Sequence, residues 1–286
     1  MKILVTGATG FIGAHVAAIL LRTDHKIIVA GRKTPRLWIP MEKPPSHPIV
    51  QNIMHDITRP NVDHYDWLGS PDMLIHLAWE GLDDYNSLSH MEHYIMDHYR
   101  FLKNMIEGGL QHLIVAGTCA EYGLRHGAMK EDMRANPNTS YGIAKDTLRR
   151  SIEILKRQFD FDFKWLRLFY MHGKENSILS QLDAALDNDE SVFNMSGGEE
   201  MRDYLPVKTV AMNIIDIAMQ EEVYGIINCC SGEPVSIKDL VMEHLANQHK
   251  KIDLSFGYFP YSKTEPMAFW GDTVKLNRAL EAYARQ

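Results

Sequence analysis

The sequence predicts an α/β fold, a doubly wound parallel sheet followed by a smaller C-terminal α/β substrate lobe. Three observations predict it. Short apolar runs alternate with helix-patterned stretches through the first two-thirds of the chain. Several of those runs are apolar on consecutive residues, as parallel strands covered on both faces are. A glycine-spaced turn, Gly7-x-x-Gly10-x-x-Gly13, joins the first run to the first helix.

The strands are expected at Ile3–Thr6, Lys26–Gly31, Ile49–Met54, Met73–Ala78, His112–Thr118 and Phe163–Phe169. Helical patterns fill the gaps at Phe11–Leu21, Leu88–Glu107 and Tyr141–Gln158. Pro35, Pro40, Pro44, Pro45 and Pro48 mark a long loop where a crossover helix would otherwise lie. After Gly173 the alternation loosens. Helices are expected at Ser177–Asp187, Val207–Gln220 and Ser236–Asn247, the last capped by Ser236, with a late strand at Val223–Cys229 and a short final helix. Residues 1–173 form the first unit, with 205–230 returning to it, and residues 174–286 form the smaller lobe.

Bulk properties exclude several functions. At 286 residues with 45% hydrophobic content, the chain buries a sizeable core. A net charge of −7 disfavours nucleic acid and anionic membrane as partners, because both reward clustered Lys and Arg. No apolar stretch approaches the ~20 residues that span a bilayer. Cys119, Cys229 and Cys230 are odd in number and two are adjacent, which favours a reducing compartment over a disulfide framework. A cytoplasmic protein without a metal site is expected.

Each glycine of the turn has a physical task in a dinucleotide site. Gly7 permits the tight turn, Gly10 lets the backbone approach a pyrophosphate, and Gly13 lets the helix sit against the sheet. The helix N-terminus then aims free N–H groups at the phosphates. Thr9, Phe11 and Ile12 complete the turn. The second strand ends Gly31-Arg32-Lys33, where an NAD site commonly has Asp or Glu for the ribose 2′-hydroxyl. With Gly31 in that place and Arg32 beside it, NADP(H) is favoured, and NAD(H) remains possible. Asp56 and Ile57 follow the third strand near the adenine edge, and Leu77 and Ala78 end the fourth beside the cofactor ribose.

Tyr141-x-x-x-Lys145 sets a phenol and an ammonium on one helix face. A phenol titrating near pH 10 is a poor proton shuttle at neutral pH unless a nearby cation favours its anion. Thr118 ends a sheet strand on the edge where ligands bind in such folds, placed to orient the reacting oxygen. Glycine turn, Tyr-Lys pair and Thr118 together indicate hydride chemistry at a carbonyl or carbinol carbon.

These residues resemble those of the extended short-chain dehydrogenase/reductase family, in its nucleotide-sugar branch of epimerases, dehydratases and ketoreductases. The resemblance covers nearly the whole chain. It rests on Gly7-Ala-Thr-Gly10-Phe-Ile-Gly13, Gly117-Thr-Cys-Ala-Glu-Tyr-Gly123, Ser140-Tyr-Gly-Ile-Ala-Lys145, Arg202-Asp-Tyr-Leu-Pro-Val207 and Ile227-Asn-Cys-Cys-Ser-Gly232. It implies a Rossmann-type fold, a nucleotide-diphosphate sugar as substrate, and a homodimer through Leu88–Glu107 and Tyr141–Gln158. It further implies Thr118, Tyr141 and Lys145 as catalytic residues and Arg202 as a phosphate contact. Trp79, Tyr85, Cys119 and Tyr122 are candidates for the sugar site, though the sequence does not fix their directions.

Departures from the family pattern narrow the activity. Sugar 4,6-dehydratases carry an Asp-Glu pair after the catalytic Thr, where this chain has Cys119 and Ala120. Epimerase/reductases that move protons at C3 and C5 use Cys and His at positions matching Ala120 and Glu175 here. Simple hydride delivery from NADPH to a nucleotide-linked 4-keto-6-deoxyhexose is therefore expected, as in bacterial deoxysugar biosynthesis. An NAD-dependent 4-epimerase is the first alternative, and a non-catalytic NADP(H)-sensing protein the second.

Overall fold

The computed structural model describes residues 1–33, 50–173, 177–263 and 265–286. The proline-rich stretch from Pro35 to Pro48 and Glu175 lie outside the described residues. β1 (Lys2–Thr6) leads through the glycine turn into α1 (Phe11–Leu20), then β2 (Lys26–Gly31) and β3 (Val50–Met54). α2 (His64–Trp67) and β4 (Met73–His76) precede a π turn at His90–Tyr94, which runs into α3 (Ile95–Glu107) and then β5 (His112–Thr118). A 3₁₀ turn at Cys119–Tyr122, β6 (Gly127–Met129), α4 (Ser140–Leu155), β7 (Asp162–Leu168) and β8 (Tyr170–His172) follow. The remainder is α5 (Ile178–Asp187), β9 (Val192–Asn194), β10 (Met201–Pro206), α6 (Val207–Met219) and β11 (Gly225–Cys229). It closes with β12 (Pro234–Ser236), α7 (Ile237–Gln248), β13 (Asp253–Ser255), β14 (Ala268–Gly271) and α8 (Val274–Ala284).

The main sheet has the order β11-β7-β5-β4-β1-β2-β3, parallel throughout. Consecutive apolar residues form its strands because each face has its own core. In β1, Ile3 and Val5 face α1, α6 and α8, while Leu4 points to the opposite cluster with α3 and α4. The strand order turns back on either side of β1, which opens a crevice at the carboxyl ends of β1 and β4.

Differences from the sequence reading have local causes. β4 ends at His76, two residues short of the expected Ala78, the Leu77 N–H still donating to the Thr6 carbonyl at 3.2 Å. The single helix expected over Leu88–Glu107 is divided by the π turn. That turn carries buried His90, whose Nδ1 accepts from Trp79 Nε1 at 3.1 Å and whose Nε2 lies 3.0 Å from the Asp84 carbonyl.

Beyond the main sheet, β12, β10, β14 and β6 form a second sheet with β8 on β10, and β9 pairs with β13. α5 and α7 cover an apolar cluster that includes Leu182, Phe193 and Val241. α8 packs with α6 on the main sheet through Leu276 and Ala279. Among the described residues, no helix is long and apolar enough to cross a membrane.

Candidate active site

The glycine turn has the geometry its spacing predicts. Gly7 adopts φ +76°, a backbone conformation that glycine reaches at no steric cost. A Cβ there would sit 2.6 Å from the Ala78 nitrogen, and one at Gly13 would sit 2.1 Å from the Gly7 carbonyl oxygen. At Gly10, which starts α1, no side chain makes a capping hydrogen bond, and the first turn holds no acidic residue. Its N–H groups therefore suit an anion, and the cradle fits a dinucleotide pyrophosphate. Thr9 is exposed at the rim, while Phe11 and Ile12 are half-buried, Phe11 lying near Gly173.

Around this cradle, Leu77 packs onto the apolar cluster beneath α1, and Ile57 packs onto the opposite one. Asp56 closes a local turn, its Oδ1 accepting from the Thr58 N–H at 3.0 Å and the Thr58 hydroxyl at 2.9 Å. Arg32, at the end of β2, is 63% exposed and lies 3.6 Å from Glu80.

Thr118, Tyr141 and Lys145 converge at the carboxyl end of β5. Thr118 is the N-cap of the 3₁₀ turn, its hydroxyl accepting from the Ala120 N–H at 3.2 Å. Thr139 caps α4 by accepting from the Gly142 N–H at 3.1 Å, which sets Tyr141 in the first turn, and the Tyr141 N–H donates to the Tyr85 carbonyl at 2.9 Å. The Tyr141 ring is buried and stacks on Tyr85 at 5.0 Å between centroids. Burial pushes its phenol well above the ordinary value, Tyr85 adds to this, and a hydrogen bond with the Thr118 side chain draws it back.

Lys145, one turn along α4, donates from Nζ to the Ala116 carbonyl at 2.8 Å and lies 3.9 Å from the centre of the Trp79 ring. Burial lowers it to about 7, against the pull of Glu121 and Glu80. Nζ is 6.0 Å from the Tyr141 ring centre, on the same face of α4.

Glu121 is a site residue that the reading of single motifs missed. It is wholly enclosed and accepts from the Thr118 N–H at 3.0 Å, from Trp165 Nε1 at 2.7 Å and from Arg167 Nε at 2.9 Å. The Thr118-x-x-Glu121 spacing is a capping-box pattern and was visible in the sequence.

The expected substrate residues divide. Trp79 is half-buried and stacks at 4.4 Å on His98, Tyr85 is exposed, and Cys119 is half-buried, its thiol pushed up chiefly by burial. Tyr122 does not reach a sugar site. It is completely enclosed with Phe169 and Phe269, under the Arg167 guanidinium, and its hydroxyl donates to Asn228 Oδ1 at 2.7 Å. In a 3₁₀ turn residues three apart share a face, and Tyr122 points inward with Cys119 packed against the same cluster.

Arg202 is almost completely buried, donating to the Met201 carbonyl at 3.0 Å and to Glu265 at 2.9 Å. Asp203 is not its counter-ion. That carboxylate instead accepts from the Ser231, Gly232 and Gly271 N–H groups.

The chain is similar to known enzymes of nucleotide-sugar metabolism. A family model described as the NAD dependent epimerase/dehydratase family matches residues 3–230. A dTDP-6-deoxy-L-talose 4-dehydrogenase (NAD(+)) of Aggregatibacter actinomycetemcomitans is 32% identical over 95% of this chain and 99% of its own. An uncharacterized UDP-glucose epimerase of Bacillus subtilis (strain 168) is 24% identical over 98% of this chain and 92% of its own. The fold matches that of a UDP-glucuronic acid 4-epimerase from Bacillus cereus, solved with UDP-glucuronic acid and NAD. That match has a TM-score of 0.82 at 23% identity and covers 99% of this chain and 93% of the other.

Proposed function

Because this chain belongs to the NAD dependent epimerase/dehydratase family, we propose that it interconverts a carbinol and a ketone at C4 of a nucleotide-linked 6-deoxyhexose. The observation that carries this reading is the Thr118–Tyr141–Lys145 convergence, followed directly by Cys119 and Ala120. Such a site moves one proton at one oxygen and has no second acid at those two positions for removing water. The name of the 32%-identical relative favours a dTDP-linked sugar.

When bound, the nicotinamide ring supplies or takes the hydride at sugar C4. The chain's own residues handle the rest. Tyr141 Oη gives the proton to the sugar oxygen in reduction and takes it in oxidation. Thr118 Oγ1 orients that oxygen. Lys145, when protonated, favours the phenolate through space. Arg202 holds the diphosphate once Glu265 releases it.

Gly31 and Arg32 favour NADP(H) on sequence grounds. The relatives give no support to that preference, and one names NAD(+); we take NAD(H) as the working cofactor. Cys119, Cys229 and Cys230 are all free thiols, which suits the cytoplasm, and we propose a homodimer through α3 and α4. A 4-epimerase is the second reading, favoured by relatives named for UDP-sugar epimerisation. Two substrates separate the readings: a dTDP-4-keto-6-deoxyhexose supplied with NADH, and the matching dTDP-6-deoxyhexose carbinol supplied with no added dinucleotide. Consumption of NADH in step with reduction of the ketone supports the oxidoreductase, and conversion of the carbinol to its C4 epimer with no net redox change supports the alternative.

A further inference from the structure

We propose that Glu80 sets the cofactor preference of this chain toward NAD(H), by holding Arg32 from across β1. This rests on the dinucleotide reading of the crevice and deepens it. The place at the end of β2 where a carboxylate would meet the ribose is filled by Gly31, so among the described residues a carboxylate reaches that rim from other strands. Arg32 follows β2 and Glu80 follows β4, with β1 between those strands. Two strand spacings are about 9.6 Å, and the Arg32 side chain reaches over the end of β1 to bring Nη2 within 3.6 Å of Glu80 Oε1.

An exposed ion pair by itself is weak. What distinguishes this one is that its two halves are held unequally. Arg32 is 63% exposed, whereas Glu80 is 19% exposed and anchored from below. Glu80 Oε2 lies 3.0 Å from His98 Nε2, His98 Nδ1 lies 2.7 Å from His76 Nε2, and His76 Nδ1 lies 2.7 Å from the Thr6 hydroxyl.

A carboxylate only accepts, which orients the whole row: Thr6 donates to His76, His76 to His98, and His98 to Glu80. Both imidazoles are enclosed, and burial holds each below the ordinary histidine value, so the row is neutral up to the carboxylate. Trp79 lies flat on His98 and carries Lys145 within 3.9 Å of its ring centre, which locks the His98 plane.

Other charges meet the same rim. Asp56 and Arg59 lie on the β3 side, and Lys33 is exposed beside Arg32. Burial raises the Asp56 carboxyl, but its Thr58 hydrogen bonds together with Arg32 and Arg59 outweigh that and hold it below its ordinary value. Arg32 therefore has a carboxylate on either side. A 2′-phosphate, carrying about two negative charges, would have to draw Arg32 away and then face a Glu80 that cannot retreat. A 2′-hydroxyl asks for neither.

The test is equilibrium binding of NADH and NADPH to the purified full chain, followed by nicotinamide fluorescence. Wild type should bind NADH at least about tenfold more tightly than NADPH, a difference of ~1.4 kcal/mol. Glu80→Gln should shift that ratio toward NADPH by about tenfold and leave NADH within about threefold. Adding Arg32→Ala to Glu80→Gln should cancel the shift.

Arg32→Ala alone, at an exposed position, should leave NADPH binding within about threefold. Tenfold weaker NADPH binding in that variant would mean that Arg32 already serves a phosphate, and would overturn the proposal. An unchanged ratio in Glu80→Gln, or a wild type that prefers NADPH, would overturn it too. Binding of neither dinucleotide would remove the dinucleotide reading as well, so the two failures are distinguishable.

Discussion

Tyr141, at the start of α4, and Arg202, on β10, are held in different ways. On the Tyr141 side every working group is tied to backbone or to a buried partner. Thr118 is pinned by Glu121, Tyr141 by the Tyr85 carbonyl, and Lys145 by the Ala116 carbonyl. On the Arg202 side, the guanidinium is buried but its counter-ion Glu265 is 42% exposed. The difference teaches a division of labour. Under the proposed function, the side that handles the proton is held by fixed partners before any ligand arrives, as electrostatic preorganisation requires, while Arg202 would exchange Glu265 for the diphosphate.

Substitutions that respect this division should affect turnover and binding separately. Tyr141→Phe removes the proton carrier without opening a cavity, and turnover should fall by roughly 10²–10⁴-fold with dinucleotide binding intact. Steady-state rates beside a binding titration check this, and unchanged turnover would refute the role given to Tyr141.

Glu121→Ala should come next. It leaves Arg167 buried without its carboxylate and should cost roughly 3–5 kcal/mol in chemical denaturation. Arg202→Ala should act on the other side, raising KM for the nucleotide sugar about tenfold or more with a smaller change in kcat. A fall in kcat alone would erase the distinction between the two sides.

The smallest effect is a pH slope. In the cofactor-free protein Lys145 titrates at about 7, far below an ordinary amine at 10.5. Between those values the unfolded chain holds a proton that the folded chain has released, so this group's contribution to stability rises with pH across that window. Lys145→Met should lose that rise. Thermal melts from pH 7 to 10 should therefore converge or diverge between the two proteins as pH increases, with wild type gaining relative to the variant.

The main sheet was legible because its strands are long, apolar runs packed on both faces, and β1 and β5 could be found from composition alone. The glycine turn and the Tyr-Lys pair were legible because spacing alone puts them together. The second sheet was not, since strands such as β6, β8 and β12 span three residues and carry no period.

Tyr122 was misplaced for a related reason: sequence position near Thr118 does not say which way a side chain turns. The His76–His98–Glu80 row escaped notice because its members come from separate segments, and only the fold brings β4 and α3 into contact. Glu121 is the instructive miss, since its capping-box spacing was present but its partners Trp165 and Arg167 lie a strand away.

The most direct test of the account is oxidation of dTDP-6-deoxyhexose by the purified chain with NAD⁺ in excess, followed at the nicotinamide absorbance and by product analysis. The account predicts NADH appearing in step with a 4-keto sugar, one for one. Conversion of the sugar to its C4 epimer with no net NADH would contradict it.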